Sequence, residues 1–463
     1  MTKNMTEGNP LFLIITFAIP LFLGNLLQQT YNVIDAMIVG RTLGAAALGG
    51  VGASSSVQFL IIGFCIGTAV GFGIPLAQAF GQGNYEALRN YMFHSSIAAA
   101  VIAVFFTLLC TIFCVPILHL LAAPEDMFAD AYAYLFVIFL GIPFTILYNL
   151  TAAALRSVGD SRTPFIFLGI ATVLNIFLDL FFILVLKWGC AGAAAATILS
   201  QAMSGFLCLL HIIRKVPILK IRREDCRFSP AILKKVLVMG LPMGLQYSIT
   251  AIGSMIVQTA NNGLGSVCIS TYTVAYKVKQ FAMCPFDAIA TGTSVFCGQN
   301  LGAGKYERIK QGIIEGTAIA ALYGTVAGIS LVFFGDTFAA FFVGSAETQI
   351  IAATKHFLFF SGISFWLLGF LNVLRQTTQA LGYSGRAVFC GVFELIARAF
   401  SGFVLVPLMG FEAICIADQI AWILAVLYVF PICISCTKKV GKIIASRQAQ
   451  NSCAPVMKPA AVH

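Results

Sequence analysis

Long apolar runs alternate with short polar gaps along the whole chain, and basic residues gather in every second gap. Twelve runs stand out, at about residues 12–38, 46–78, 92–116, 131–154, 164–186, 191–213, 236–262, 268–297, 312–334, 350–374, 388–408 and 412–436. Each supplies the roughly 20 mostly apolar residues that a bilayer-spanning helix needs. Lipid cannot satisfy backbone N–H and C=O groups, so helix is the expected form. The pattern predicts an all-α polytopic membrane protein with twelve transmembrane helices.

The basic residues set the orientation. Lys3, Arg89, Arg156 with Arg162, the run from Arg214 to Lys235, Lys305 to Lys310, Arg375 with Arg386, and the tail from Lys438 fall on one side. The other side receives Arg41, Lys187 and Lys355, with acidic Glu125, Asp126, Asp130, Asp336, Glu347 and Glu412. By the positive-inside rule the first side is cytoplasmic, which places both termini inside. The net charge of +10 is then loop bias and requires no nucleic-acid partner. Composition agrees: hydrophobic residues make up 59% and charged residues 10%, against about 25% charged in soluble domains. Mean hydropathy is +0.92. The first run follows a segment with one Lys and lacks a small-residue cleavage site before Asp35, so it reads as a span and not a cleaved signal. The fourteen Cys scatter through apolar runs as small hydrophobes. Cys433 and Cys436 form a single CxxC with no second pair, which reads as packing.

The chain repeats itself at a spacing of 221 to 223 residues. Ile19-Pro20-Leu21 matches Leu241-Pro242-Met243, and Gln58 falls on Gln280. The segment from Gln78 through Gly81, Gly83, Tyr85 and Glu86 falls on Gln299, Gly302, Gly304, Tyr306 and Glu307. Gly159 and Ser161 fall on Gly382 and Ser384. Six spans is an even number, so the halves are parallel repeats about an axis along the membrane normal, with a cleft between two lobes. The expected domains are a six-helix lobe at 1–213, a basic linker at 214–235, a second six-helix lobe at 236–436 and a tail at 437–463.

Particular segments resemble the multidrug and toxic compound extrusion (MATE) transporters, in the bacterial branch of DNA-damage-inducible and staphylococcal-type pumps. They are Thr6 to Pro10, Phe17 to Pro20, Tyr31 to Asp35, Ile38 to Arg41, Leu155 to Pro164 and Gln299 to Gly304. The resemblance covers about residues 6–440. It implies a V-shaped pair of lobes in a bacterial plasma membrane. It also implies secondary export of organic cations and other drugs against inward H⁺ or Na⁺.

Charged groups inside spans are costly and invite a functional reading. Asp35 lies late in the first span. Asn175 and Asp179 are four residues apart on the fifth span and share a face. At about 1.5 Å per residue, Asp179 stands roughly 24 Å above the inner end. Thr197 is seven residues down the sixth span, at comparable depth. Carboxylate, amide and hydroxyl oxygens suit a hard cation, and paired carboxyls suit a proton. The resemblance likewise assigns cation coupling to Asp35, Asn175, Asp179 and Thr197. Asn175 and Thr197 serve equally well as helix-to-helix hydrogen-bonding groups. The second half departs from this pattern: Val257 stands at the repeat position of Asp35, and Asp418 at that of Thr197. Lys277, Lys279, Asp287 and an i, i+4 Glu394–Arg398 pair appear instead. Gln28, Tyr31 and Asn32 of the first span, Gln246, Tyr247 and Gln258 of the seventh, and Glu394 with Arg398 are the candidate substrate-cleft residues.

Other chemistry is absent from the pattern. Residues 298–305 resemble a phosphate loop but have the wrong glycine spacing, and Tyr306 replaces the Mg²⁺-binding hydroxyl. Five His are dispersed without a metal-binding motif. No enzyme constellation and no cofactor are expected beyond the coupling ion. The expected partners are small amphipathic or cationic organic molecules and membrane lipid, with the chain a monomer. A flippase of lipid-linked saccharides is the alternative; two six-span halves and buried acids favour the exporter.

Overall fold

The computed structural model describes residues 3–120, 125–344 and 347–453. The last ten tail residues and the side chain of Asp126 lie outside that set. The first half contains α1 (Pro10–Thr42), α2 (Ala45–Gly81), α3 (Tyr85–Ile112), short α4 (Cys114–Leu120), α5 (Glu125–Leu140), α6 (Ile142–Ser157), α7 (Arg162–Leu180) and α8 (Gly189–Lys215). The second contains α9 (Pro230–Asn262), α10 (Ser266–Gly302), α11 (Tyr306–Val343), α12 (Thr348–Ala380), α13 (Ser384–Phe400), α14 (Val406–Met409) and α15 (Phe411–Cys453). No strand occurs among the described residues.

Local chemistry explains the boundaries. The Asn9 side chain accepts from Phe12 N–H at 3.3 Å and Pro10 opens α1, a preferred pairing at a helix start. Asn84 caps α3 in the same way at 2.9 Å. Among the described residues, ten helices are long and apolar enough to cross a membrane, and the α5–α6 pair, bent by 46° at Gly141, gives an eleventh. At 37 residues α10 is the twelfth by length, but it carries Lys277, Lys279 and Asp287. The third apolar run, expected to continue to residue 116, ends at Ile112 and is followed by α4. On α11, Leu322, Val326, Ile329 and Phe333 are all exposed at helical spacing, the face that lipid would cover.

The repeat is visible in the backbone. Left-handed glycines recur in pairs: Gly44 (φ 94°) and Gly265 (φ 101°), Gly83 (72°) and Gly304 (68°), Gly159 (85°) and Gly382 (93°). A wide π-type turn closes α7 at Phe181–Val185, and its counterpart closes α13 at Ser401–Leu405.

Helices α1–α8 pack as one lobe and α9–α15 as the other, joined where α2 meets α9 and α1 meets α10. These joining contacts concentrate at the end that carries the linker. There Gln78 donates to Ala380 C=O at 2.8 Å, and its repeat partner Gln299 donates to Ser157 C=O at 2.9 Å. A β-carbon at Gly81 would overlap the Gln299 carbonyl, and one at Gly302 would overlap that of Gln78, so only glycine permits the crossing. The segment before α1 straps this seam. Met5 is fully buried, its N–H bonds Gln299 Oε1 at 2.8 Å, and Lys3 N–H reaches Val158 C=O at 3.1 Å. Arg308 donates to Gly8 C=O at 2.9 Å, and Lys305 to Thr6 C=O at 2.9 Å. Away from this end α2 turns to its own lobe, with Gly49 and Gly50 against Met127 and Ala131. The outline is a V closed at the linker end.

The linker itself is tied to α3. Asp225 binds Arg89 at 2.7 Å and Arg222 N–H at 2.9 Å. Burial pushes the Asp225 carboxyl up, but these hydrogen bonds and both guanidinium charges hold it below the usual carboxylate range. His94 donates from Nδ1 to Asn90 C=O (2.7 Å) and accepts from Ser229 N–H at Nε2 (2.8 Å), which fixes its neutral tautomer.

Candidate functional site

The first-lobe centre is built on α1 and α7. Asn175 and Asp179, one turn apart, are both buried, at 2% and 0% exposure. Asp35 reaches them from α1, and the two carboxyls come within reach of each other. Neither oxygen of Asp179 forms a well-oriented hydrogen bond, nor does Asp35 Oδ1 or either polar atom of the Asn175 amide. Like charges about 4 Å apart repel by roughly 4 kcal/mol at an effective dielectric near 20. A pair of this kind is relieved by one proton or one small cation.

Tyr31 faces this centre from α1, within hydrogen-bonding reach of Gln28 and Gln201. Tyr134 of α5 comes in from the other side, near Asp35 and within reach of Gln58. Gln201 also accepts from Thr145 at 2.5 Å. Thr197 is half-buried one turn before Gln201 on α8, so it shares that face. Asn32 is exposed. Sequence reasoning did not select Tyr134 or Gln201. Their only linear signal was a polar group inside an apolar run, which many spans share.

The second-lobe centre is a cavity of about 180 Å³ lined by Gln246, Tyr247, Lys279, Asp287, Arg375 and Arg398, among others. Gln28, Tyr31, Asn32 and Gln258 do not line it; Gln258 instead bonds Asn262 at 2.8 Å. Charges of alternating sign run along one wall. Lys279 pairs with Asp418, Asp418 accepts from Arg398 at 3.1 Å, Arg398 meets Glu394 at 3.4 Å, and Glu394 accepts from Arg375 at 3.0 Å. The Glu394–Arg398 pair expected from i, i+4 spacing is present, but Glu394 is closer to Arg375.

Arg375 requires a correction. It was counted with Arg386 among the inner-loop charges, whereas it sits inside α12, bonds Asn372 at 2.5 Å and lines the cavity. Its position near the end of an apolar run made the two placements indistinguishable in sequence. Lys277 is exposed while Lys279 is buried, because two residues of helix turn them to different faces. Asp287 opens onto the cavity and pairs with none of these cations at ion-pair distance; Arg375 is the charge nearest in effect.

Two parallel helical lobes, one with a buried acidic centre and the other with a charged cavity, define a polytopic membrane transporter. The MatE family model matches residues 20–181 and 242–404, one copy in each lobe. A probable multidrug resistance protein of Bacillus subtilis, YpnP, is 30% identical over 385 residues, 82% of this chain and 86% of that protein. The multidrug export protein MepA of Staphylococcus saprophyticus is 24% identical over 430 residues, 89% and 92% of the two chains. In fold, the chain is similar to a MATE crystal structure in complex with MaL6, with TM-score 0.89, 23% identity and coverage of 96% and 100%. The chain belongs to the MATE family of transporters and is not an enzyme.

Proposed function

We propose that the protein exports small amphipathic or cationic organic molecules by antiport against inward H⁺ or Na⁺. The observation that carries this is the facing pair of half-buried Asp35 and fully buried Asp179 beside Asn175, with Asp35 Oδ1 and both Asp179 oxygens lacking a well-oriented hydrogen bond. A buried carboxyl pair has one proton or one cation as its natural counter-charge, and exchanging that charge changes the balance between lobe arrangements. Asn175 and Thr197 supply further oxygens for Na⁺. The second-lobe cavity, with Tyr247, Glu394 and Arg398 on its walls, takes the organic substrate. Alternating access proceeds by opening the seam at Gln78, Gln299 and the strap while the opposite mouth closes. Efflux from proteoliposomes under separately imposed pH and Na⁺ gradients tests the reading. Export driven by either gradient supports it, and no gradient-dependent efflux of any cationic dye overturns it.

The proposed setting is the plasma membrane of a bacterium, with both termini and the 214–235 linker in the cytoplasm, because the basic residues crowd that end. The V then faces outward. Tags placed in the linker and after His463 are expected to react only from the cytoplasmic side. Labelling of either from outside intact cells would reverse the orientation.

A further inference from the structure

The dispersed histidines conceal one spatial cluster at the end of the second lobe opposite the linker. His356 lies near the start of α12, and Glu412 and Cys415 lie in the first two turns of α15. His356 Nε2 stands 2.9 Å from both oxygens of the Glu412 carboxylate. Cys415 Sγ completes a set of three donor atoms, all within 4.8 Å of one another. Glu412 and Cys415 are three residues apart and so share a helix face.

We infer that His356, Glu412 and Cys415 form a binding site for a borderline-soft divalent cation of the zinc class. A hydrogen bond alone uses His356 and Glu412 and gives no part to a thiol close to both. A zinc-class ion takes imidazole nitrogen at about 2.0–2.1 Å, carboxylate oxygen at about 2.0–2.2 Å and thiolate sulfur at about 2.3 Å. Donors around such a tetrahedral ion stand roughly 3.3–3.8 Å apart. The present donors, within 4.8 Å of one another, stand near that spacing. Three protein ligands leave the fourth position for water. His356 and Glu412 are 45% and 51% exposed, so the site is open at the protein surface. Binding deprotonates Cys415 and releases a proton, so affinity falls as pH falls. It also ties α12 to α15 one turn from Asp418, at the edge of the charged cavity.

Cobalt(II), a spectroscopic stand-in for zinc, tests this on purified full-length protein in detergent. The expected result is a thiolate-to-cobalt charge-transfer band with intense four-coordinate visible bands, saturating at one ion per chain and displaced by Zn²⁺. Cys415→Ser removes the thiolate band. His356→Ala, at an exposed position where folding is little affected, weakens binding by at least about tenfold. A wild-type spectrum without a thiolate band overturns the site and leaves His356 and Glu412 as a hydrogen-bonded pair. So does a thiolate band that survives both substitutions, because the cobalt is then held by other cysteines.

Discussion

Asp179→Asn is expected to abolish gradient-driven export, and Asp35→Asn to do the same, with both proteins expressed and inserted at near wild-type levels. Asp179 is fully buried and its oxygens have no well-oriented partner. The amide keeps the shape of the carboxyl, so packing against α1 changes little. It removes the group that gains and loses a proton, and it halves the negative charge available to Na⁺. The facing pair then becomes a single carboxylate with no repulsion to relieve, and the link between ion binding and lobe movement is lost. Folding should be unaffected or improved, since a costly buried charge has been removed. Initial efflux rates in proteoliposomes should fall by at least about tenfold, the loss of roughly 1.4 kcal/mol or more of coupling. Substrate binding without a gradient should persist. Wild-type gradient-driven rates in both variants would remove these residues from coupling.

Much of this architecture was legible in the chain because membrane insertion writes strong linear signals. Apolar length marks spans, and Lys and Arg mark one face. The repeat was legible because glycines that adopt left-handed backbone or permit close crossing, such as Gly83 and Gly304 or Gly81 and Gly302, tolerate no other residue. Asn175 and Asp179 stood out as polar groups one turn apart in an apolar run. The approach of Asp35 from another helix rested on a depth argument; in the fold its carboxyl lies within reach of that of Asp179. What stayed hidden depends on helix rotation and long-range packing. A shift of two residues separates exposed Lys277 from buried Lys279. Nothing local distinguishes Arg375 at a cavity wall from an arginine at a loop. His356 and Glu412 are 56 residues apart and meet only because α12 and α15 pack. The strap was also missed, since its function lies in backbone groups of Met5 and Gly8 that meet Asn300 and Arg308.

The second lobe should respond to charge removal in a different way, by losing stability and not coupling. Asp418 is the shared anion between Lys279 and Arg398, and all three side chains are largely buried. Asp418→Asn leaves the buried Lys279 without its counter-charge and Arg398 with only the 3.4 Å contact to Glu394. Breaking one member of a buried ion network costs about 3–5 kcal/mol, because the remaining charges stay desolvated. The variant is therefore expected to unfold at a markedly lower temperature in detergent, with reduced membrane yield. Glu394→Gln is milder: Arg398 retains Asp418 and Arg375 retains Asn372. It should change substrate affinity, since Glu394 lines the cavity, while the pH and Na⁺ dependence of efflux persists. The contrast separates the roles of the lobes, because Val257 occupies the repeat position of Asp35 and leaves the second lobe without the facing acid pair. Thermal unfolding of Asp418→Asn and ion-dependent efflux of Glu394→Gln, measured beside Asp179→Asn, decide the matter. Wild-type stability in Asp418→Asn would show that the charged wall is not structural. Loss of ion dependence in Glu394→Gln with retention in Asp179→Asn would move coupling to the second lobe.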